Sequence, residues 1–372
     1  QLSTIGKFTK GQGIRKEEAT IGEIPCIRYG ELYTSHNDYI KEYFSFISKE
    51  TAKTARRLKP GDILFAGSGE TKEEIGKCAA FIDNIEAYAG GDIVILSPVD
   101  VSPVFLGYLL NAQKIQKQKA SKGQGDAIVH ISANQLGSIQ IPLPPTKSEQ
   151  TAIATALSDT DALIENLEKL IAKKRNIKQG VMQELLTGRK RLAGFNGEWM
   201  KIKLGDICDI RKGQLITEKT AAGGEFPVIA GGINPSYFHN RPNRGKNTIT
   251  ISASGANAGF VSFHRNPIFA SDCSTIEEKG TFNIVYIFFL LQLFQKKIFK
   301  LQTGGAQPHV YPEHLKPLEL VFPQEVTEQD AIANILIDID EELSGLEKQM
   351  NKYQLIKQGM MQTLLTGKIR LV

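Results

Sequence analysis

Apolar residues separated by alternating steps of four and three run through the last part of this chain, at Ile332, Leu336, Ile339, Leu343, Leu346, Met350 and Tyr353. That spacing is the seam of a coiled coil and predicts one long helix. A weaker parallel seam lies upstream at Ile153, Leu157, Thr160, Ile164, Leu167 and Ile171. Pro144-Pro145 precede Thr146, and Thr146 to Glu149 has the spacing of a capping box. Thr327 and Asp330 are the corresponding start signals of the second helix. Both helices are expected to stop at a glycine after Leu-Leu-Thr, Gly188 and Gly367. Roughly forty residues at about 1.5 Å each give a rod of about 60 Å, too long to hide its stripe in one small domain. The two stripes are therefore expected to pack on each other; the alternative is that each helix docks on its own globular part. The heptad order weakens at Lys174 to Lys178 and near Tyr353.

The two helical segments are copies. Residues 149–192 recur 179 positions later, Glu149 matching Glu328, with 24 of 44 positions identical and no gap. His130 pairs with His309 and Pro144 with Pro323 at the same offset. The regions ahead of them also align, but 202 positions apart: Lys10-Gly11-Gln12 with Lys212-Gly213-Gln214, and Gly22-Glu23-Ile24-Pro25 with Gly224-Glu225-Phe226-Pro227. The first copy is thus 23 residues longer between Gly30 and His130, the difference of the two offsets. Between these shared ends the sequences have little in common. Similar frames hold dissimilar interiors.

Those interiors read as mixed α/β. Asp62–Ala66, Asp92–Leu96, Ile139–Leu143 and Thr248–Ser252 have strand length and composition with turn residues around them. Val104–Lys117 and Ile284–Lys300 look helical. The richest apolar run, Ile284–Leu293, is about half the roughly 18 residues of a membrane span and reads as a buried helix. No membrane association is expected. A charged fraction of 23% beside 41% hydrophobic residues fits a globular protein with two ordinary cores. The net charge of +5 permits a nucleic-acid partner without requiring one. Cys26, Cys78, Cys208 and Cys273 lie far apart with no CxxC, which predicts buried thiols in a reducing cytoplasm rather than a disulfide or zinc framework. Gln1 follows no initiator methionine or signal peptide, so the natural start is expected to lie upstream.

Motifs for catalysis are missing. Gly67-Ser68-Gly69 and Ser254-Gly255 are not in a GxSxG elbow and read as turns. Gly76-Lys77-Cys78 lacks the spacing of a phosphate loop, since Gly69 stands too far upstream. Asp272, Glu277 and Lys279 are the nearest thing to a metal-dependent nuclease set, but their spacing is short and the first copy has no equivalent. His130 and His309 occupy matched positions with no recurring carboxylate or cysteine beside them, which suits a structural role at the root of each helix. No nucleotide or methyl-donor fingerprint occurs. The chain reads as a binder.

Two variable globular regions alternating with two repeated helices that end in LLTG resemble the specificity subunit of type I restriction-modification systems. The carriers are Glu149-Gln150, Ile153-Ala154, Lys178-Gln179-Gly180, Met182-Gln183 and Leu185-Leu186-Thr187-Gly188-Arg189 with their second-copy counterparts, and Trp199 to Asp206 (WMKIKLGD) at the start of the second unit. Only Leu2 to Ile5 remains of that start in the first. The resemblance implies an α/β class fold: two globular target recognition domains, 1–145 and 193–325, joined by two spacer helices, 146–192 and 326–372, that form an antiparallel coiled coil with pseudo-twofold symmetry. It also implies the partners. These are double-stranded DNA, two methyltransferase subunits docked on the helices, and restriction subunits. S-adenosylmethionine, ATP and magnesium would belong to those subunits, with no cofactor, metal or catalysis in this chain.

Each recognition domain would then read one half of an asymmetric bipartite target, the helices setting the spacing as in dimeric repressors. Phosphate contacts need lysine and arginine, and base edges favour Arg, Asn and Gln. The candidate DNA contacts are Arg28, Tyr29, Lys72, Lys119, Lys122 and Gln124 in the first domain, and Asn234, Arg241, Arg244, Lys246, Asn257, Gln302 and Gln307 in the second. Beyond the weakened heptads, Val181, Met182, Leu185, Leu186, Met360, Met361, Leu364 and Leu365 are candidates either for subunit docking or for packing on the globular parts. The alternatives are a specificity subunit of a type IIB-like assembly, a nuclease built on Asp272, Glu277 and Lys279, and a coiled-coil scaffold without sequence preference.

Overall fold

The two apolar seams become two continuous helices of 39 residues each, Lys147–Leu185 and Val326–Leu364, in a computed structural model that describes residues 1–20, 22–125, 127–280 and 282–371. At the start of the first, the Thr146 hydroxyl accepts the Glu149 N–H at 3.3 Å, as the capping spacing predicts. The second helix starts one residue ahead of Thr327, so Thr327 lies in its first turn and does not cap it. Asp330 is used otherwise, accepting from Asn283 Nδ2 at 2.6 Å. Both helices close on a left-handed glycine: Gly188 has φ 70° and Gly367 φ 71°. The Lys190 N–H reaches back to the Glu184 carbonyl at 3.2 Å, and Lys368 N–H to Thr363 at 3.0 Å. These bonds satisfy carbonyls that the ending helix leaves open.

The chain divides into two compact units, residues 1–166 with 349–372, and residues 167–348. Each long helix therefore begins in one unit and ends in the other. In the first unit Arg370 holds Glu149, Lys357 meets Asp161 at 2.6 Å, and Thr160 approaches the Met360 sulfur at 3.8 Å. In the second, Arg175 meets Glu347 at 2.7 Å, Lys178 meets Asp340 at 2.6 Å, and Arg191 meets Glu328 at 2.6 Å. Within each unit the partner number falls as the other rises, so the helices are antiparallel. The seam residues Ile153, Leu157, Ile164, Leu167 and Ile171 are buried, as are Ile332, Leu336 and Leu343.

Glu328 is fully buried and binds Arg191 through both carboxylate oxygens, at 2.6 and 2.7 Å. Glu149, the residue 179 positions earlier, takes Arg370 in the same bidentate manner, at 2.5 and 2.6 Å. So each helix start grips the tail of the other helix. The neighbouring glutamines act as a second repeated device. Gln150 accepts the Ser102 N–H at 2.9 Å and donates to the Pro144 carbonyl at 3.0 Å. Gln329 does the same with Asn283 and Pro323, both at 2.9 Å. Finally, Lys357 sits 5.4 Å over the Tyr108 ring and Lys178 sits 5.2 Å over Phe289, each lysine also bound to its aspartate. These contacts fix a globular part onto the helices in each unit.

The larger sheet of the first unit runs Gly6–Lys10, Ile93–Pro98, Ile63–Ala66, Cys78–Ala80, all antiparallel. The second unit repeats this order with Cys208–Lys212, Cys273–Glu278, Thr248–Ser252 and Val261–His264. A smaller sheet recurs too. Ile24–Ile27 runs parallel to Tyr88–Ala89, and Phe226–Ile229 runs parallel to Phe269–Ala270. The interiors that differ in sequence thus share a topology: the central strands are buried on both faces, and many sequences supply side chains that fit such a pleated surface. Most of the extra length in the first unit lies between Ile27 and Ile63, where it adds helices Glu31–Thr34 and Lys49–Ala52 and the edge strand Arg56–Arg57.

Three expected elements differ. Residues 139–143 form no strand, although strand Glu319–Pro323, which overlaps their counterpart 318–322, pairs with Trp199–Lys203. The Leu2 N–H still donates to Ile139, as Leu204 does to Leu318. The helix expected over Val104–Lys117 is two helices, Pro103–Asn111 and Gln113–Lys122, broken at Ala112 with ψ 143°. Ile284–Lys300 is likewise divided, into Ile284–Leu293 and Gln295–Phe299 around Phe294.

Replacing Glu328 with alanine strands the Arg191 guanidinium and should lower stability by about 3 kcal/mol, the usual cost of removing one partner of a buried ion pair. Lys53→Ala, which breaks an exposed pair with Glu50, should cost under about 1 kcal/mol. Urea midpoints measure both. Equal, small shifts would show that the clamp contributes nothing.

Candidate nucleic-acid interface

A cleft of about 720 Å³ opens beside the larger sheet of the first unit, lined by polar residues including Lys10, Ser68, Asp92, Gln124 and His130 and by apolar ones such as Phe8, Val94 and Ile131. Strand Ser68–Gly69 pairs antiparallel with Val129–His130, opposing His130 to Ser68, whose hydroxyl lies 2.9 Å from His130 Nδ1. Gln124 and His130 exchange backbone hydrogen bonds at 3.0 and 2.7 Å. The second unit has the same frame: Ser254 bridges His309, and Thr303 exchanges bonds with His309 at 2.9 and 2.8 Å. Asp92 and Asp272 also correspond, their carbonyls receiving Gly67 N–H at 2.7 Å and Ala253 N–H at 3.1 Å. In the second unit the Ser254 hydroxyl donates to the Asp272 carboxylate rather than to a histidine. The His309 ring stacks on Tyr311, with centroids 5.6 Å apart and planes at 7°. The two units thus wire the serine differently, and among the described residues neither shows a serine–histidine–aspartate relay.

Of the residues expected at DNA, Tyr29, Lys72, Gln124, Asn234, Arg241, Lys246 and Gln307 are exposed, while Arg28, Lys122 and Asn257 are half-buried. Three others have internal work. Lys119 is wholly buried and donates to the Gly76 carbonyl at 2.6 Å, with burial pushing its ammonium down to about 8. It fills the first unit's core beside Ile131 and Leu136 instead of facing solvent. Arg244 binds Thr275 at 2.7 Å, the Asn243 and Lys212 carbonyls at 2.8 and 3.1 Å, and Glu277 at 3.2 Å. That leaves its guanidinium committed to the sheet. Gln302 donates to the Ala258 carbonyl at 2.7 Å and is half-buried.

The apolar group beyond the seam is also largely internal. Met182, Leu185 and Leu186 are buried in the second unit's core with Leu204, Leu320 and Phe322. Leu364 and Leu365 are buried in the first unit's core with Ile153 and Leu157. Val181, Met360 and Met361 are half-buried against those cores. The tail of each helix therefore packs in the globular core at the start of the other. These side chains hold the fold and present little surface for a partner.

No group of three His, Cys, Asp or Glu side chains could hold a metal ion among the described residues. Asp272 is taken up by Ser254, and Glu277 by Arg244 and Arg211, so the acidic pair is not convergent. All four cysteines are buried and unpaired, with burial pushing each thiol up to about 12. No described helix is long and apolar enough to cross a membrane.

Comparison with known proteins gives one consistent result. The family profile described as type I restriction modification DNA specificity domain matches residues 1–174 and 196–357. A type I restriction enzyme specificity subunit of Methanocaldococcus jannaschii is 26% identical over 309 residues, covering 72% of this chain and 70% of that one. The EcoKI specificity subunit of Escherichia coli is 25% identical over 244 residues, covering 61% and 52%. Among solved structures, the S subunit of a type I restriction-modification system from M. genitalium superposes with a TM-score of 0.72 at 20% identity, covering 98% of this chain and 94% of that one. That likeness extends the fold over both units and both helices.

The buried Lys119 generates a pH signature. Its folded pKa of about 8 lies below the ordinary lysine value of 10.5, so between these values the unfolded chain binds more protons, and this group's contribution to stability rises with pH. The stability of the native chain minus that of Lys119→Met should therefore grow from pH 7.5 to 10 in paired urea titrations. A difference independent of pH would place the ammonium in solvent.

Proposed function

Because this chain belongs to the type I restriction-modification DNA specificity domain family, we propose that it is the DNA-reading subunit of such a complex, and that each globular part reads one half of a bipartite target. The observation that carries this is the contrast between frame and content. The two units share strand order and the clamps that fix them to the helices, yet differ in the loops and side chains that face out. Equal scaffolds with unequal surfaces suit two different half-sites. The exposed Tyr29, Lys72, Gln124, Asn234, Arg241, Lys246 and Gln307, with the half-buried Arg28, Lys122 and Asn257, are the proposed DNA contacts. The helices set the distance between half-sites, and catalysis with its S-adenosylmethionine, ATP and magnesium resides in methyltransferase and restriction subunits.

The duplication also indicates where two identical partners would dock. Exposed helix positions have drifted freely between the copies near the helix starts: Thr151 against Asp330, Thr155 against Asn334, Ala162 against Glu341. Farther along, Ile177, Gln179, Gly180 and Gln183 are exposed and identical to the exposed Ile356, Gln358, Gly359 and Gln362. A side chain added at Gly180 or Gly359 would meet open space, so packing within the chain does not require these glycines. Retention of an exposed isoleucine beside a glycine, twice, fits one methyltransferase subunit on each copy.

Ile177→Asp with Ile356→Asp should leave the fold intact, since these side chains are 43% and 40% exposed. The double variant should co-purify with no methyltransferase, and each single variant with one. Two subunits retained by the double variant would exclude this face. For DNA reading, Arg241→Ala should weaken binding of the assembled complex by about tenfold, the order of one lost charged contact. Unchanged affinity and salt dependence would remove Arg241 from the interface.

A further inference from the structure

The first strand of the larger sheet ends in both units in the same corner. The Gly11 N–H donates to Ile93 at 2.9 Å, and the Gly213 N–H to Cys273 at 2.8 Å. A Cβ at Gly11 would lie 1.9 Å from the Gly90 carbonyl oxygen, and one at Gly213 would lie 2.0 Å from that of Ser271. Backbone presses on backbone there, so only glycine fits. The next residues are pinned as well, Gln12 N–H to Ala89 at 3.2 Å and Gln214 N–H to Ala270 at 2.9 Å. Lys10 and Lys212, just ahead of the glycine, stand exposed on this fixed corner.

Packing explains the glycines but not the lysines. Among the described residues neither Lys10 nor Lys212 meets a carboxylate within 4.0 Å. Arginines join both corners by different routes. Arg56 Nε donates to the Lys10 carbonyl at 3.3 Å, and Arg244 Nη2 to the Lys212 carbonyl at 3.1 Å. The two arginines do not correspond in the fold. Arg56 pairs with Ala89, whereas Arg244 bridges Ile268, two positions before Ala270, the counterpart of Ala89. A guanidinium at the same carbonyl has thus been reached from two unmatched positions. In the second unit Glu277 offsets Arg244, so the uncompensated charge there is Lys212. In the first, Lys10 also lines the cleft with Gln124 and His130.

We propose that the Lys10-Gly11-Gln12 and Lys212-Gly213-Gln214 corners are equivalent phosphate clamps, one per globular part, that fix each domain on the DNA backbone without reading bases. The inference rests on the DNA-reading function proposed above and deepens it. Two domains with different base preferences still meet one common feature, the phosphodiester chain. A contact to that feature is the kind that divergence of the reading surface leaves alone. A lysine held at a rigid backbone corner supplies a charge whose position is set by the sheet rather than by a mobile loop.

The test uses the chain assembled with its methyltransferase subunits. Affinities of the native complex and of Lys10→Ala with Lys212→Ala are measured on target and unrelated duplexes between 50 and 200 mM salt. Each lost phosphate contact should reduce the slope of log K against log salt by about 0.9. The double variant should therefore have a slope shallower by about 2, and should weaken on both duplexes by the same factor, with the methylated motif unchanged. Lys10→Arg with Lys212→Arg should restore the slope. An unchanged slope, or a loss confined to the target duplex with an altered motif, would overturn the clamp. If the native complex itself showed no salt-dependent DNA binding, the underlying function would fall and the clamp with it. Native binding with an indifferent double variant would remove the clamp alone.

Discussion

The rest of this structure depends on an exchange between the two long helices: the glutamate that opens each one grips the arginine that closes the tail of the other. Glu149 with Arg370 and Glu328 with Arg191 are bidentate pairs, and their glutamates are almost wholly withdrawn from water. A buried carboxylate is tolerated only when its partner is fixed. The clamp therefore specifies register: a shift of either helix by one turn would leave both carboxylates unpaired. Around each clamp, the apolar tail residues of one helix enter the core that the other helix begins in, which ties the folding of each unit to both halves of the chain.

That coupling explains which parts of the duplication stayed alike. A residue in the clamp or seam has a partner in the other copy, so a change in one is felt by the other. The outward surfaces of the globular parts have no such partner and have diverged, while their strand order persists because the sheet asks only for side chains that fit a buried pleat and for turns. Lys178 on Phe289 and Asp340, and Lys357 on Tyr108 and Asp161, show the limit of this tolerance. The ring may be phenyl or phenol, but the cation and its carboxylate remain.

Much of this was readable in the sequence, for identifiable reasons. The helices and their stop glycines follow from period and from a gap-free repeat, whereas their antiparallel sense came from the family resemblance. Lys119 was assigned to DNA because the segment around it is basic, although it stands one helical turn after the buried Ile115 and shares its face, a signal that periodicity does contain. Arg244 offered no such sign, since its partners Thr275, Glu277 and the Lys212 carbonyl are distant in sequence. The tail leucines were correctly marked as apolar, but no local pattern says that a core from the other half of the chain covers them. The common topology of the two interiors was invisible because strand pairing leaves no conserved spacing. The Lys-Gly-Gln repeat is plain in the sequence, but the reason for its glycine lies in backbone contacts with Gly90 and Ser271 that are distant along the chain.

The proposed function requires one scaffold to carry two unlike readers of DNA. Mapping methylated adenines in cells that co-express this chain with a methyltransferase subunit tests it most directly. The account predicts a single motif of two different short half-sites separated by a constant number of unread base pairs. Exchanging one globular part for that of a relative should change one half-site and leave the other half and the gap as they were. A continuous or palindromic motif, or a change in both halves on exchanging one part, would contradict it.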